Sequence, residues 1–225
     1  SQIASAFNLD VGSVINAANR GYPRDPVPLP SPGVGGPCLT KDPYILAAAA
    51  KRAGLDSTLS QQGRAVNESM PSFVVESVIR ELERAGKKPK DCKVVLCGLA
   101  FKGNPETSDV RNSTSLDIAM AIKDRVGELV IHDPVVPAAD IKALGLTPVE
   151  LPGAFQGKDA ALFLNNHPSY RKLDVFEMVR SLRGPGIVYD AWRVFQGEEL
   201  LRTAPTVYMG LGFVRRSPSL EEAAG

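Results

Sequence analysis

The sequence predicts an α/β protein: a helical domain over residues 1–86, then a doubly wound parallel-sheet domain over 87–225. Two changes along the chain carry this reading. In the first part apolar residues recur at helical spacing, as in Val75, Val78, Ile79 and Leu82. From residue 93 on, unbroken apolar runs alternate with helical stretches, the pattern of strands buried on both faces. Between them Gly86 and the KKPKD segment at 87–91 read as a linker.

Each element follows from local signals. Asp10 is a cap residue for a helix with Val11, Val14, Ile15 and Ala18 on one face, and Gly21 stops it. Residues 22–32 hold five prolines and must run extended. A helix begins with Asp42 as N-cap and Pro43 as its first residue, and breaks at Gly54. Another starts near Ser57, with a kink or fresh start at Met70-Pro71. Strands are expected at 93–99, 129–133, 160–166 and 186–192. The intervening helices carry Ile118, Ile122 and Val126 on one face, then PAADIKALG, then DVFEMVRSL.

Composition narrows the function classes. Hydrophobic content is 44% and charged content 23%, with a net charge of +1 and both signs interspersed. That argues against a nucleic-acid or anionic-membrane partner while leaving room for a local cationic pocket. No apolar run approaches the roughly 18 residues of a membrane span. Cys38, Cys92 and Cys97 show no disulfide pattern, so a reducing cytoplasm is expected. With only two histidines, His132 and His167, zinc-ligand spacing is absent and no metal is expected.

Two segments carry chemistry. GVGGPCLTKDP at 33–43 puts Cys38 in a glycine-rich loop just ahead of a helix N-terminus. Gly33, Gly35 and Gly36 let the backbone turn and come close to a ligand. The unpaired N–H groups of the helix start favour thiolate over thiol, and Lys41 adds a full positive charge. Most cysteines are inert small hydrophobes, and an Asp before Pro is commonly only a cap. The other segment, GLAFKGNPETSDVRNS at 98–113, follows the first expected strand, where open parallel sheets bind ligands. It is neither a Walker A nor a GxGxxG sequence. Lys102 and Arg111 read as phosphate contacts there rather than as surface charges, since an arginine fork matches phosphate oxygens.

Together the two segments resemble the active-site cysteine loop and the AFK-x(n)-D-x-R-x-S segment of the UDP-glucose/GDP-mannose dehydrogenase family. AANRGYPR, NESMPSFVV, HDPVV and DAWRVF are smaller echoes in the family's order. The resemblance implies a central helical dimerisation domain, a Rossmann-like domain for the nucleotide sugar, and NAD as cofactor. It implies oxidation of a UDP-sugar C6 alcohol to a carboxylate for polysaccharide precursors. Cys38 would form a thiohemiacetal and then a thioester, and Asp42 would assist proton transfer to or from a water. Lys41 and Arg111 would lie toward NAD; Phe101, Lys102 and Arg193 would hold the substrate. The apolar stripes around Val14 and Val78 are expected to form a homodimer interface, across which Arg24 would reach the partner's substrate.

The family's strand-GxGxxG-helix unit is not found in this sequence, nor is the helix on which the family carries a catalytic Lys and Asn. The expectation is therefore a C-terminal part of a longer enzyme, inactive by itself. The DP pair and NESMP look closer to members acting on N-acetylated UDP-hexosamines, whereas UDP-glucose members typically read GGSCFPKD. UDP-glucose remains an alternative substrate. Ser108 departs from the acidic residue frequent in the family. Two other classes stay open: a nucleotide-binding or dimerisation module without chemistry, and a cysteine hydrolase pairing Cys38 with His132 or His167.

Overall fold

A computed structural model describes residues 1–22 and 24–222; Pro23, within the predicted extended segment, and 223–225 lie outside the described residues. The first part holds α1 (Gln2–Ala6), α2 (Val11–Asn19), α3 (Asp42–Arg52) and α4 (Thr58–Arg84). Asp10 caps α2 as expected, accepting from the Gly12 and Ser13 amides. The start of α3 differs from expectation: Lys41 is the N-cap, Asp42 is the first helical residue, and no side chain caps the helix. Asp42 still sits in the first turn, where a carboxylate meets the positive end of the helix.

The break expected at Met70-Pro71 is not a fresh start, since α4 runs through Pro71 as one helix of 27 residues. Proline removes the bond to the carbonyl four residues back, here that of Asn67. The rest of the helix is held by burial. Val74, Val75, Val78, Ile79 and Leu82 are all buried in a core shared with the sheet. At about 1.5–3 kcal/mol for each large aliphatic side chain, this burial outweighs one lost hydrogen bond. The stripe is therefore interior packing of this chain and not a surface left over for a second copy.

Among the described residues the sheet has seven strands in the order β3-β2-β1-β4-β5-β6-β7. They are β1 (Lys93–Cys97), β2 (Glu128–His132), β3 (Thr147–Pro148), β4 (Ala160–Phe163), β5 (Gly186–Asp190), β6 (Thr206–Gly210) and β7 (Phe213–Arg216). All neighbours are parallel except β6 and β7. The four expected strands are present; β3, β6 and β7 were not anticipated. Alternate residues of β1 feed two cores, Val94 and Leu96 with α4, α5 (Thr114–Lys123) and α6 (Ala138–Ala143), Val95 and Cys97 with α7 (Val175–Ser181). The sheet is thus covered on both faces, the Rossmann arrangement. β1 lies between β2 and β4, so the winding reverses there and opens a crevice at their carboxyl ends.

Candidate active site

The loop 98–113 leaves the carboxyl end of β1 and is tied down from several sides. The Leu99 and Ala100 amides donate to Asp133 Oδ2 at 2.7 and 3.0 Å, while Asp133 Oδ1 accepts from Val135 and Val136. Gly103 and Asn104 donate to Asn166 Oδ1, just beyond β4. Ser113 donates to the Leu99 carbonyl at 2.7 Å and caps α5. The loop is therefore fixed over the crevice and presents Phe101 and Lys102, whose ammonium lies 5.3 Å from the Phe101 ring centre.

The cysteine loop docks directly onto this loop, joining two segments some 65 residues apart in sequence. The Gly36 amide donates to the Asn112 carbonyl at 3.1 Å, and Thr114 Oγ1 reaches the Gly33 carbonyl at 3.4 Å. Two glycines make the approach possible. A Cβ on Gly35 would sit 2.2 Å from the Asn112 oxygen, and one on Gly36, at φ +90°, would press on the Phe101 ring at 3.2 Å. Two residues further on, Cys38 is an exposed free thiol. Its carbonyl accepts from the Lys41 and Asp42 amides at 3.1 and 2.9 Å, which starts α3.

Three residues of α4 that sequence reasoning passed over hold the outer side of the cysteine loop. Asn67 pairs with both polar groups of Val34, accepting from its amide at 2.7 Å and donating to its carbonyl at 3.0 Å. The buried Arg64 guanidinium points at the Val34 and Leu39 carbonyls, at 3.4 and 3.5 Å, and binds Glu68 at 3.0 Å. Glu68 also accepts from Tyr44 of α3; that bond, then Arg64, lowers its pKa. The NESMP segment was the only sequence signal, and it gave no role to these side chains.

The remaining candidates have contacts of their own. Arg111 is exposed and locked bidentately to Asp109, which that bond holds down to about 2. Arg193 does not join the Phe101 loop: it binds Asp10 at 2.5 Å and lies over the Phe213 ring at 4.2 Å, tying α2 to the sheet. Arg24 is exposed, with Asp25 as its recorded partner. His132 contacts Tyr170, and His167 contacts Ser169 and Glu106, so the recorded bonds of neither imidazole reach Cys38. Burial pushes the Cys92 and Cys97 thiols up, leaving Cys38 as the accessible one.

A dinucleotide cradle is not built from these residues. The turn after β1 is not GxGxxG, and Asp133, beyond the end of β2 where an acidic residue would take a ribose hydroxyl, already accepts four backbone amides. Lys41 is the N-cap of α3 and Arg111 lies on the 98–113 loop, so the two expected cofactor contacts sit on the two loops that dock together.

A doubly wound domain with a cysteine-bearing loop seated on its switch-point loop is an arrangement suited to holding a nucleotide beside a thiol. Comparison makes it specific. The central-domain profile of the UDP-glucose/GDP-mannose dehydrogenase family matches residues 1–69, and the family's UDP-binding-domain profile matches 95–197. The chain belongs to this family. It is 31% identical over 93% of its length to the UDP-N-acetyl-D-mannosamine dehydrogenase of Pyrococcus horikoshii, covering 46% of that protein. An NDP-N-acetyl-D-galactosaminuronic acid dehydrogenase of Ralstonia nicotianae is 28% identical over 77% of the chain, which covers 39% of it. The crystal structure of the NDP-N-acetyl-D-galactosaminuronic acid dehydrogenase from Methanosarcina mazei superposes with a TM-score of 0.80 at 27% identity, over 94% of this chain and 46% of that one. The chain thus spans less than half the length of these relatives.

Proposed function

We propose that this chain forms the thiol-bearing and sugar-nucleotide-binding part of an NAD-dependent nucleotide-sugar 6-dehydrogenase acting on a UDP-N-acetylhexosamine. The observation that carries it is the docking of the Cys38 loop onto the Phe101–Lys102 loop through Gly36 and Asn112. That contact brings a thiol-bearing loop beside the crevice where such a fold binds a nucleotide, which supports the reading. The N-acetylated substrate rests on the two relatives named above for such sugars.

Conversion of a C6 alcohol to a carboxylate removes two hydrides, and NAD supplies the acceptor. The described residues make no dinucleotide cradle, so the part of this chain is to hold the sugar nucleotide, supply the thiol and move protons. Lys102 would bind the diphosphate by a charge-assisted contact and Phe101 would flank the sugar nucleotide. Cys38 Sγ would add to the C6 aldehyde carbon, its proton passing to the aldehyde oxygen, to give a thiohemiacetal. Loss of hydride and a proton leaves a thioester. Asp42 would take a proton from water, whose oxygen adds to the acyl carbon and releases the thiol and the carboxylate.

Cys38→Ser, in the enzyme that turns over the sugar, should still bind UDP-sugar yet form no carboxylate, because the hydroxyl is too weak a nucleophile to reach the acyl stage. Full carboxylate yield from that variant would remove Cys38 from the mechanism. A homodimer through α3 and the first half of α4 is part of this reading. It is supported by exposed Ile45, Leu46, Leu59 and Val66, and light scattering that gives a monomer at micromolar concentration would count against it. Arg24 would reach the partner's substrate across that interface. The exposed free thiol suits a reducing cytoplasm.

A further inference from the structure

We propose that Arg64 and Asn67 are positioning residues for Cys38, forming with Glu68 and Tyr44 a polar clamp that sets the thiol over the sugar site. The inference rests on the reading of Cys38 as the nucleophile.

The loop that carries Cys38 has little apolar burial to fix it. Cys38 and Leu39 are both exposed, and α3 behind them buries no residue. Apolar packing therefore does not decide where the sulfur points; directed bonds must. One side of the loop is held by Asn112, Thr114 and Phe101. The other side is held by α4. Asn67 satisfies both the amide and the carbonyl of Val34, so the backbone at that point is fixed in direction as well as in place. Arg64 then spans the thiol in sequence, touching one carbonyl four residues before it and another directly after it.

Its planar fork can serve two carbonyls and a carboxylate together, which a lysine ammonium matches poorly. Arg64 is 8% exposed, so its charge needs those acceptors. Glu68 supplies the counter-charge and, through the Tyr44 hydroxyl at 2.8 Å, ties the start of α3 to the same group. A polar cavity of ≈ 250 Å³ lies behind the loop, lined by Val34, Thr40, Arg64, Asn67, Asn112 and Asp117 among others. With open space behind it, a loop released from the clamp has somewhere to go. Displacement of a reacting group by about 1 Å can cost on the order of a hundredfold in rate.

The test compares the full chain with Arg64→Gln, Arg64→Lys and Asn67→Ala. Cys38 is alkylated with iodoacetamide with and without saturating UDP-N-acetylglucosamine, and affinity for that sugar nucleotide is measured by calorimetry. Cys92 and Cys97 are buried and stay silent. In the starting protein the sugar nucleotide should slow alkylation about tenfold or more, as expected for a thiol set against a bound ligand. Arg64→Gln and Asn67→Ala should lose most of that shielding while affinity changes less than about threefold, since Lys102 and Phe101 belong to the other loop. Arg64→Lys should recover part of it. Amide exchange at 33–41 should quicken in both disabling variants and stay unchanged in β1, β4 and β5.

Unchanged shielding and exchange in both disabling variants would overturn the clamp. Loss of affinity in step with shielding would also overturn it, by making Arg64 a general structural residue. Binding without shielding in the starting protein would instead overturn the reading of Cys38 as the nucleophile, and the clamp's purpose with it. If Arg64→Gln fails to fold, Asn67→Ala decides the matter alone, since it removes no charge.

Discussion

The helix behind the thiol and the strands beneath the nucleotide crevice are held by opposite means. None of the eleven residues of α3 is buried, whereas all five of β5 and all five of β6 are. The sheet is ordered by apolar burial, which is non-directional and tolerates small shifts. The cysteine loop is ordered by a few hydrogen bonds to named partners, which fix direction but contribute only about 0.5–1.5 kcal/mol net each. The sheet half thus supplies most of the stability, and the helical half supplies the placement of the Cys38 thiol. Substitutions in the two regions should accordingly fail in different ways.

The largest contrast is available within α4 itself. Leu82→Ala, at a fully buried site in the shared core, should cost about 2–5 kcal/mol by urea denaturation. Glu83→Ala, at the exposed neighbouring position on the same helix, should stay within about 0.5 kcal/mol. Equal losses at both positions would break the comparison.

A smaller effect is expected on binding. Lys102→Ala should weaken UDP-sugar affinity by about 1.5–3 kcal/mol in calorimetry, the scale of a hydrogen bond between charged groups, with the melting temperature unmoved. No loss of affinity would make Lys102 a surface lysine lying on Phe101.

The smallest effect sharpens the comparison from the side of pH. Burial alone would raise the Asp10 carboxyl, but the bond from Arg193, the Ser13 amide and Arg215 outweigh it and hold it down to about 2. A depressed carboxylate stabilises the fold fully above its unfolded value near 3.9, and the contribution fades as pH falls toward 2. Amide exchange in α2 should therefore quicken between about pH 4 and 2 before β1 and β5 respond. Simultaneous loosening of strands and α2 would mean that the halves do not part in acid.

The sequence made legible what depends on local pattern. The Val75, Val78, Ile79 and Leu82 spacing identified a buried helix face, although its partner is the sheet of the same chain rather than another copy. The runs that became β1, β2, β4 and β5 were readable because both faces of each are covered. β7 was not, because Val214 and Arg215 are exposed on a short edge strand and mimic a loop. Arg64 and Glu68 stand at i and i+4, a spacing shared by any ion pair on a helix surface, so nothing in the sequence sets the pair apart. What gives Arg64 meaning is a pair of backbone carbonyls some thirty residues earlier, and main-chain acceptors leave no signature in side-chain identity. Asp42 and Lys41 differ by one position at the helix start, within the usual latitude of such boundaries.

The unbroken passage of α4 through Pro71 has a mechanical consequence. Asn67, which grips the thiol loop, and Leu82, which is seated in the core, belong to one rod, separated by about 22 Å at the rise of an α-helix. A rod of that length pivoting about its seated end by only about 3° carries its far end through about 1 Å. The helix is thus a lever whose short movements in the sheet are magnified at the sulfur. A conservative swap such as Ile79→Leu, which should cost less than about 1.5 kcal/mol in folding, is expected to alter the alkylation rate of Cys38 from a distance.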